Sequence, residues 1–469
     1  MFCAMPAAPL PDDSPDVERP REYALLPVFG CALIVLWAAW WIAAIAQGQL
    51  WGVQNTRIPA WKFLGLDFQH NYDAARFWIA GHNPYAEDFG DWRGTFAYPP
   101  VVLPLFAWCA LLPRFAAYVV WCAFVGVSIA LGSAVAARTR DALCLIRVPA
   151  PFIAGLMLWS LPVLFATERG QTDVLVLLAL AGAAIALRRP PSWGRDLLIG
   201  ACLAVATWIK IYPAFALLGL IPLRAWRAFG LGALEAALIG LVPLRATMQW
   251  IQTSAEAQKD RVGFVTEINQ WLFHRASHRP AELTLYPTIS QDAHSLTTYW
   301  STFWRHFDLW WLERMPGALG ALLVLMPPTI WLSLRVARSS PVVRARLGYP
   351  YLLWLAAMAT FLMPVSYDYN LFYLPLAALT VWDRRDPWLI TAVLGLATFV
   401  WWQPMVLPWF EDAEVFMGLK LVSLLGVGVI IARRARDIEE SQESPGSVRV
   451  RAVFRAPQHL LDVHRLPRE

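Results

Sequence analysis

The chain has 469 residues, 58% of them hydrophobic and only 16% charged, with 26 tryptophans. Soluble domains carry nearer a quarter charged residues because their surfaces face water, so this composition excludes a water-soluble protein and places lipid around most of the surface. The net charge of +5 is spread over short segments and not gathered in a patch, which argues against nucleic acid as a partner.

After a polar cytoplasmic segment over residues 1–23, the apolar run from Ala24 to Ala46 is too long for a signal-peptide core and reads as a retained membrane anchor. Further apolar runs fall at 115–137, 149–166, 172–187, 196–210, 211–223, 228–244, 317–334, 349–363, 370–382, 387–403 and 414–432. Together they predict an all-α polytopic membrane domain over residues 24–432 with about twelve transmembrane helices. Tyr98 to Pro113 (YPPVVLPLFAWCALLP) is short and rich in proline, and reads as a re-entrant or broken helix. Irregular backbone at membrane depth is tolerated where protein buries the freed polar groups. Residues 433–469 are polar and Arg-rich, with Ser-Pro-Gly in the middle, and read as a flexible cytoplasmic tail.

Orientation follows from arginine. Six connections are Arg-rich: Arg138/Arg140/Arg147, Arg188/Arg189/Arg195, Arg224/Arg227, Arg335/Arg338/Arg344/Arg346, Arg384/Arg385 and Arg433/Arg434/Arg436. Basic loops stay preferentially in the cytoplasm, and placing all six there leaves two long segments outside, 47–97 and 245–316. Both are too long to be mere connectors, so chemistry is expected in them.

The first outer segment contains LDFQHNYDAARFWIAGHNPY, residues 66–85. Phe68, Tyr72, Ala75 and Ile79 share one helical face and Gly81 supplies a stop, which predicts an amphipathic helix on the outer membrane surface. Asp67 is placed just before this helix, where two roles fit: an N-cap, or a general base within reach of a bound hydroxyl. Three cations fall on the outer side against the inside bias: Arg76, Arg169 in ATERGQTD, and Lys210 in WIKIYP. They either snorkel to lipid phosphates or form a pocket for the phosphate of a lipid-linked substrate. In the second outer segment Asn269 and Gln270 are amide candidates for sugar hydroxyls. Tyr367, Asp368 and Asn370, in PVSYDYN, form another polar outer turn able to line the same cavity. His274 and His278 share a helix face, but neither an HExxH motif nor a third ligand accompanies them, so no metal is expected.

In order and spacing, DF…YDAARFWIAGHNPY, FAYPP, ERGQTDVLVLLAL, WIKIYP and PVSYDYNLFYLPL resemble glycosyltransferase family 87. These are membrane enzymes of the GT-C class, which includes polyprenyl-phosphate-mannose-dependent mannosyltransferases. The resemblance implies a GT-C-like fold and a polyprenyl-phosphate-linked sugar donor, with a mannose-like sugar. It also implies a glycan or glycolipid acceptor outside the cytoplasm, no metal or other cofactor, and residence in a bacterial inner (plasma) membrane. The catalytic acid of the class lies in the first outer loop, and the matching position here is Asp67. Tyr367-Asp368-Tyr369 stands where many relatives carry a histidine, a departure that leaves the acceptor open. On this reading Arg76, Arg169 and Lys210 hold the donor phosphate. Tyr72, Asn83, Tyr85, Gln171, Asn269, Gln270, Tyr367 and Asp368 meet sugar or acceptor. Two rivals remain: a transporter or flippase for lipid-linked sugars, and a ligase or polymerase moving whole glycans. A transporter usually shows repeated halves and paired intramembrane ionisable residues, and the sequence shows neither.

Overall fold

A computed structural model describes residues 25–47, 65–89, 96, 98–259, 317–362, 371–383, 386, 387 and 413–443. Every regular element among them is helical: α1 Leu26–Gln47, α2 Leu66–Ile79, α3 Val102–Phe106, α4 Arg114–Ala142, α5 Ala150–Leu158, α6 Leu161–Arg169, α7 Asp173–Leu187, α8 Trp193–Ile209, α9 Ala214–Leu218, α10 Trp226–Leu241, α11 Leu244–Lys259, α12 Gly317–Arg338, α13 Pro341–Leu362, α14 Tyr373–Val381 and α15 Ala413–Glu443. A 3-10 turn, Ala107–Leu111, extends α3.

The described residues do not by themselves supply the expected twelve crossings. Among the described residues three helices (α1, α4 and α12) are long and apolar enough to cross a membrane, or up to five if each bent pair is one span. Proline and glycine account for much of the difference. The run 149–166 is bent by 65° between α5 and α6, where Ser160 and Pro162 interrupt the ladder. The run 211–223 is not a span, because Pro213, Gly219 and Pro222 confine its helix to the five residues of α9. The run 370–382 yields the nine-residue α14, roughly 13 Å long and too short to span alone. The run 228–244 becomes α10, then turns by 84° into α11. The run 387–403 lies outside the described residues. Tyr98 to Pro113 is a broken, ten-residue helical stretch, as its prolines led one to expect. The last helix runs to Glu443, eleven residues past the expected end at Ala432, because Arg434 is buried against Asp386 and the carbonyl of Val381.

Outward-facing Val35, Leu36, Val120, Val127, Leu131, Leu234 and Leu238 stay exposed on the long helices. A surface of this kind is tolerable only in lipid. This is an integral membrane protein. At its centre α13 is buried nearly all round, against α14, α15, α7 and α4.

The bundle has two chemically distinct ends. At one, the Arg-rich connections tie helix ends together. Arg140 donates to the carbonyls of Leu379 and Trp382 at 2.7 Å each. Arg188 bonds Thr139, Arg335 pairs with Glu439 at 3.3 Å, and Arg227 pairs with Asp196 at 2.6 Å. At the other end lie the start of α7, the start of α14 and the end of α8. Along the fifteen residues of α7 the two ends are roughly 22 Å apart, about three quarters of the thickness of a hydrocarbon core.

Candidate active site

The site is built where two glycine-bearing turns lock together. Gly65, φ +74°, precedes α2, and its N–H donates to the carbonyl of Glu168 at 2.7 Å. Gly170, φ +72°, ends α6 and lies against Phe68 of α2. A Cβ on Gly65 would come 2.8 Å from the Tyr118 ring, and one on Gly170 would collide with Phe68. Both positions need the left-handed backbone region and both need the absence of a side chain. Tyr118 of α4 completes the joint, its hydroxyl donating to the carbonyls of Thr167 at 3.0 Å and Glu168 at 3.3 Å. The last carbonyls of α6, which have no partner within their own helix, are satisfied in this way.

That joint places Asp67 inside the first turn of α2, not before it. Gly65 occupies the N-cap position and the cap has no side-chain hydrogen bond, so the capping role for Asp67 falls away. Its carboxylate turns to the α6–α7 connection. Arg169 Nε donates to Asp67 Oδ2 at 2.8 Å, and a second Arg169 nitrogen lies 3.5 Å from Oδ1. Gln171 Nε2 donates to the same Oδ2. Gln171 Oε1 accepts from Lys210 Nζ at 3.1 Å and from the Tyr98 hydroxyl at 3.4 Å. Lys210 also sits 5.0 Å from the centre of the Tyr98 ring and 3.5 Å from Asp173 Oδ2. The side chains of Asp67, Arg169 and Lys210 are 21%, 15% and 17% exposed, whereas Asp173 is fully covered. One anion and two cations are therefore half-open on one surface, joined by an amide that donates to the first and accepts from the second cation.

The electrostatics follow from this packing. Burial alone would lower the pKa of the Lys210 ammonium, but Tyr98, Asp173 and Asp67 outweigh it, and the pKa stands above its ordinary value. Burial pushes the Tyr98 hydroxyl up to about 12. His70, one turn along α2, stacks on Phe89 with centroids 5.3 Å apart. Burial lowers its pKa to about 4, against the raising influence of Asp67, so the imidazole is neutral at pH 7. Among the described residues no group of three or more His, Cys, Asp or Glu could hold a metal ion.

The other expected site residues lie elsewhere. Tyr72 is buried with its hydroxyl on the carbonyl of Leu112 at 2.9 Å, and Tyr85 with its hydroxyl on the carbonyl of Tyr98 at 3.0 Å. Asn83 organises its own turn through the Tyr85 N–H at 3.0 Å and binds Gln249 of α11 at 2.9 Å. Arg76 is exposed two and a half helical turns beyond Asp67, its guanidinium 5.7 Å from the Tyr72 ring centre. Asn269, Gln270, Tyr367 and Asp368 lie outside the described residues, as do His274 and His278.

The model of glycosyltransferase family 87 matches residues 96–327. Through that stretch the chain belongs to the family. It is a membrane glycosyltransferase. No curated protein matches the chain. The family region contains Tyr98, Arg169, Gln171, Asp173 and Lys210, while Asp67 reaches the same site from outside it. Tyr98, His70, Asp173, Tyr212 and Tyr373 are not marked as site residues by the sequence pattern. Tyr98, Asp173, Tyr212 and Tyr373 stand within the very strings that carry the family resemblance, FAYPP, ERGQTD, WIKIYP and NLFYLPL.

Proposed function

We propose that this glycosyltransferase moves a mannose-like sugar from a polyprenyl-phosphate donor to a glycan or glycolipid acceptor, with its site on the extracytoplasmic side of a bacterial inner membrane. The observation that carries the reading is the convergence of Asp67, Arg169, Gln171 and Lys210 at the end of the bundle opposite the Arg-rich connections. A phosphate leaving group departs as an anion, and preorganised cations in a site shielded from water stabilise that charge as it forms. Arg169, with its planar fork, and Lys210, as a point charge, fill that role.

Asp67 is the base. Its Oδ2 takes the closer Arg169 contact and the Gln171 bond, whereas Oδ1 has only the longer 3.5 Å contact and is the oxygen better placed to take a proton. The acceptor hydroxyl oxygen attacks the anomeric carbon and a new C–O bond forms. The bond from that carbon to the phosphate oxygen breaks, and the hydroxyl proton passes to Asp67. One attack from the opposite face inverts the anomeric centre. With two protein cations on the phosphate, no metal is assigned a step.

The test is transfer by purified protein in nanodiscs from labelled polyprenyl-phosphate mannose, with and without chelator. A covalently glycosylated product of inverted configuration, formed in both conditions, is expected. Translocation of the intact lipid-linked sugar with no covalent product would replace this reading with a flippase.

A further inference from the structure

Behind the half-open cations lies a second layer that the reaction itself does not use. Asp173 opens α7 with its side chain fully covered. Its Oδ1 accepts from the Tyr212 hydroxyl, and its Oδ2 faces Lys210 Nζ at 3.5 Å. The Tyr373 hydroxyl, from α14, lies 2.9 Å from the Tyr212 hydroxyl and donates to the main-chain carbonyl of Asp173 at 3.1 Å. Two elements distant in sequence thus hold the residue that opens α7: the turn after α8 meets its carboxylate, and the start of α14 meets its main-chain carbonyl and the Tyr212 hydroxyl.

A buried carboxylate held this fully is costly unless it is paired, and among the described residues Lys210 pairs with it. Lys210 has three donors on a flexible stem. Gln171 Oε1 at 3.1 Å and Asp173 Oδ2 at 3.5 Å both engage the ammonium, which fixes where it stands.

We infer that Asp173, clamped by Tyr212 and Tyr373, is a positioning residue that sets the place and the charge of Lys210 for the donor phosphate. This rests on the assignment of Lys210 to that phosphate. Asp173 meets no substrate itself. It holds the ammonium in place and, with Tyr98 and Asp67, offsets the burial that disfavours its charge. Among the described residues the groups facing Lys210 are Asp67 on α2, Tyr98 before α3, Asp173 at the start of α7 and the neighbouring Gln171, with Arg169 paired to Asp67 beside them. Tyr212 and Tyr373 stand behind Asp173. Of the two carboxylates, Asp173 alone lies within 4 Å of the ammonium. In its absence burial has the larger say, and Lys210 loses its proton at lower pH.

The experiment measures transfer from polyprenyl-phosphate mannose by full-length protein in nanodiscs, as a function of pH, alongside melting curves. Asp173→Asn is expected to raise the donor KM by on the order of tenfold, within the range of coupling between members of one hydrogen-bonded network. It is also expected to bring the alkaline loss of kcat/KM to lower pH than in the wild type. Adding Lys210→Arg to this variant should restore the alkaline end, because a guanidinium keeps its proton there. A pH profile superimposable on the wild type, in a protein where Lys210→Met does raise the donor KM, overturns the inference and leaves the phosphate assignment standing. An unchanged donor KM in Lys210→Met overturns both. Should Asp173→Asn alone fail to fold, the comparison moves to Lys210→Met against Lys210→Met/Asp173→Asn, in which no buried charge is left unpaired. Equal donor KM values are expected, since Asp173 acts only through Lys210, and a further tenfold rise in the double variant overturns the inference.

Discussion

Gly170 lies with its main chain against Phe68, leaving no room for a side chain between the α6–α7 turn and the first turn of α2. The contact decides the register of the site. Phe68 follows Asp67 directly, and Gly170 stands between Arg169 and Gln171, the two residues that bond the Asp67 carboxylate. Separating the two backbones by the width of a methyl group would move both donors off the base together.

Gly170→Ala is therefore expected to harm activity beyond what its stability cost explains. An alanine must hold φ near +72°, which costs on the order of 1–3 kcal/mol, and must displace Phe68 in addition. Positioning errors of about 1 Å at a reacting centre cost on the order of a hundredfold in rate. The check pairs a melting curve with a transfer assay at a temperature where the variant stays folded. Transfer that falls only in step with the folded fraction would mean that the glycine serves the fold alone.

How much of this was legible in the sequence depends on the range of the interaction. The buried face of α2 was legible, because Phe68, Tyr72 and Ala75 recur at helical spacing, though Ile79 proved exposed. So was the break at 98–113, since proline announces itself locally. Arg169 and Lys210 stood out as outer-side cations, and the structure gathers them around Gln171. Arg76 looked the same in sequence but points away, because nine residues of helix separate it from Asp67. Tyr72 and Tyr85 read from the sequence as sugar contacts. In the fold their hydroxyls satisfy main-chain carbonyls of the broken Tyr98–Pro113 region, a need that arises from tertiary structure and leaves no local pattern. Asp173 reads as an ordinary first-turn acid until Tyr373, 200 residues away, is brought beside it.

His70 gives a pH dependence whose sign can be worked out. Its pKa is 6.5 in the unfolded chain and about 4 in the fold, lowered by burial and partly offset by Asp67. Between these values the unfolded chain binds a proton that the folded protein does not. Stability from this group is therefore complete above the unfolded value and declines as pH falls from about 6.5 towards 4. His70→Gln removes the titration. The difference in melting temperature between wild type and variant should change across pH 7 to 5 and be flat from 7 to 9. A flat difference throughout would place His70 in a wetter setting than its stack against Phe89 and Phe96 implies.

The two ends of the bundle predict a labelling pattern. Cys144, exposed, sits in the Arg-rich connection after α4. Ala86, also exposed, follows the turn that Asn83 organises at the site end. With the Arg-rich end in the cytoplasm, native Cys144 should react with an impermeant thiol reagent only after permeabilisation. Ala86→Cys should react in intact cells. The reverse pattern would place the site on the cytoplasmic side and remove the extracytoplasmic acceptor.

The sharpest test falls on Asp67, because the structure has changed what its replacement should do. A capping role would let Asn substitute silently, since Asn and Asp cap about equally well, but Gly65 is the cap. Asp67→Asn keeps an oxygen able to accept from Arg169 or Gln171 and loses the charge that pairs with Arg169 at 2.8 Å. Charge-assisted hydrogen bonds exceed neutral ones by about 1 kcal/mol, so a modest fall in melting temperature is expected. The catalytic loss should be far larger. An amide cannot take the acceptor proton, and a positioned base contributes roughly 10²–10⁴-fold. Donor affinity should hold or rise, because Arg169, released from its carboxylate, keeps its full charge for the phosphate. The measurements are transfer rate, donor affinity and melting curve on one purified variant. Near-normal turnover with donor affinity intact would remove Asp67 as the base and leave its pairing with Arg169 as a structural contact.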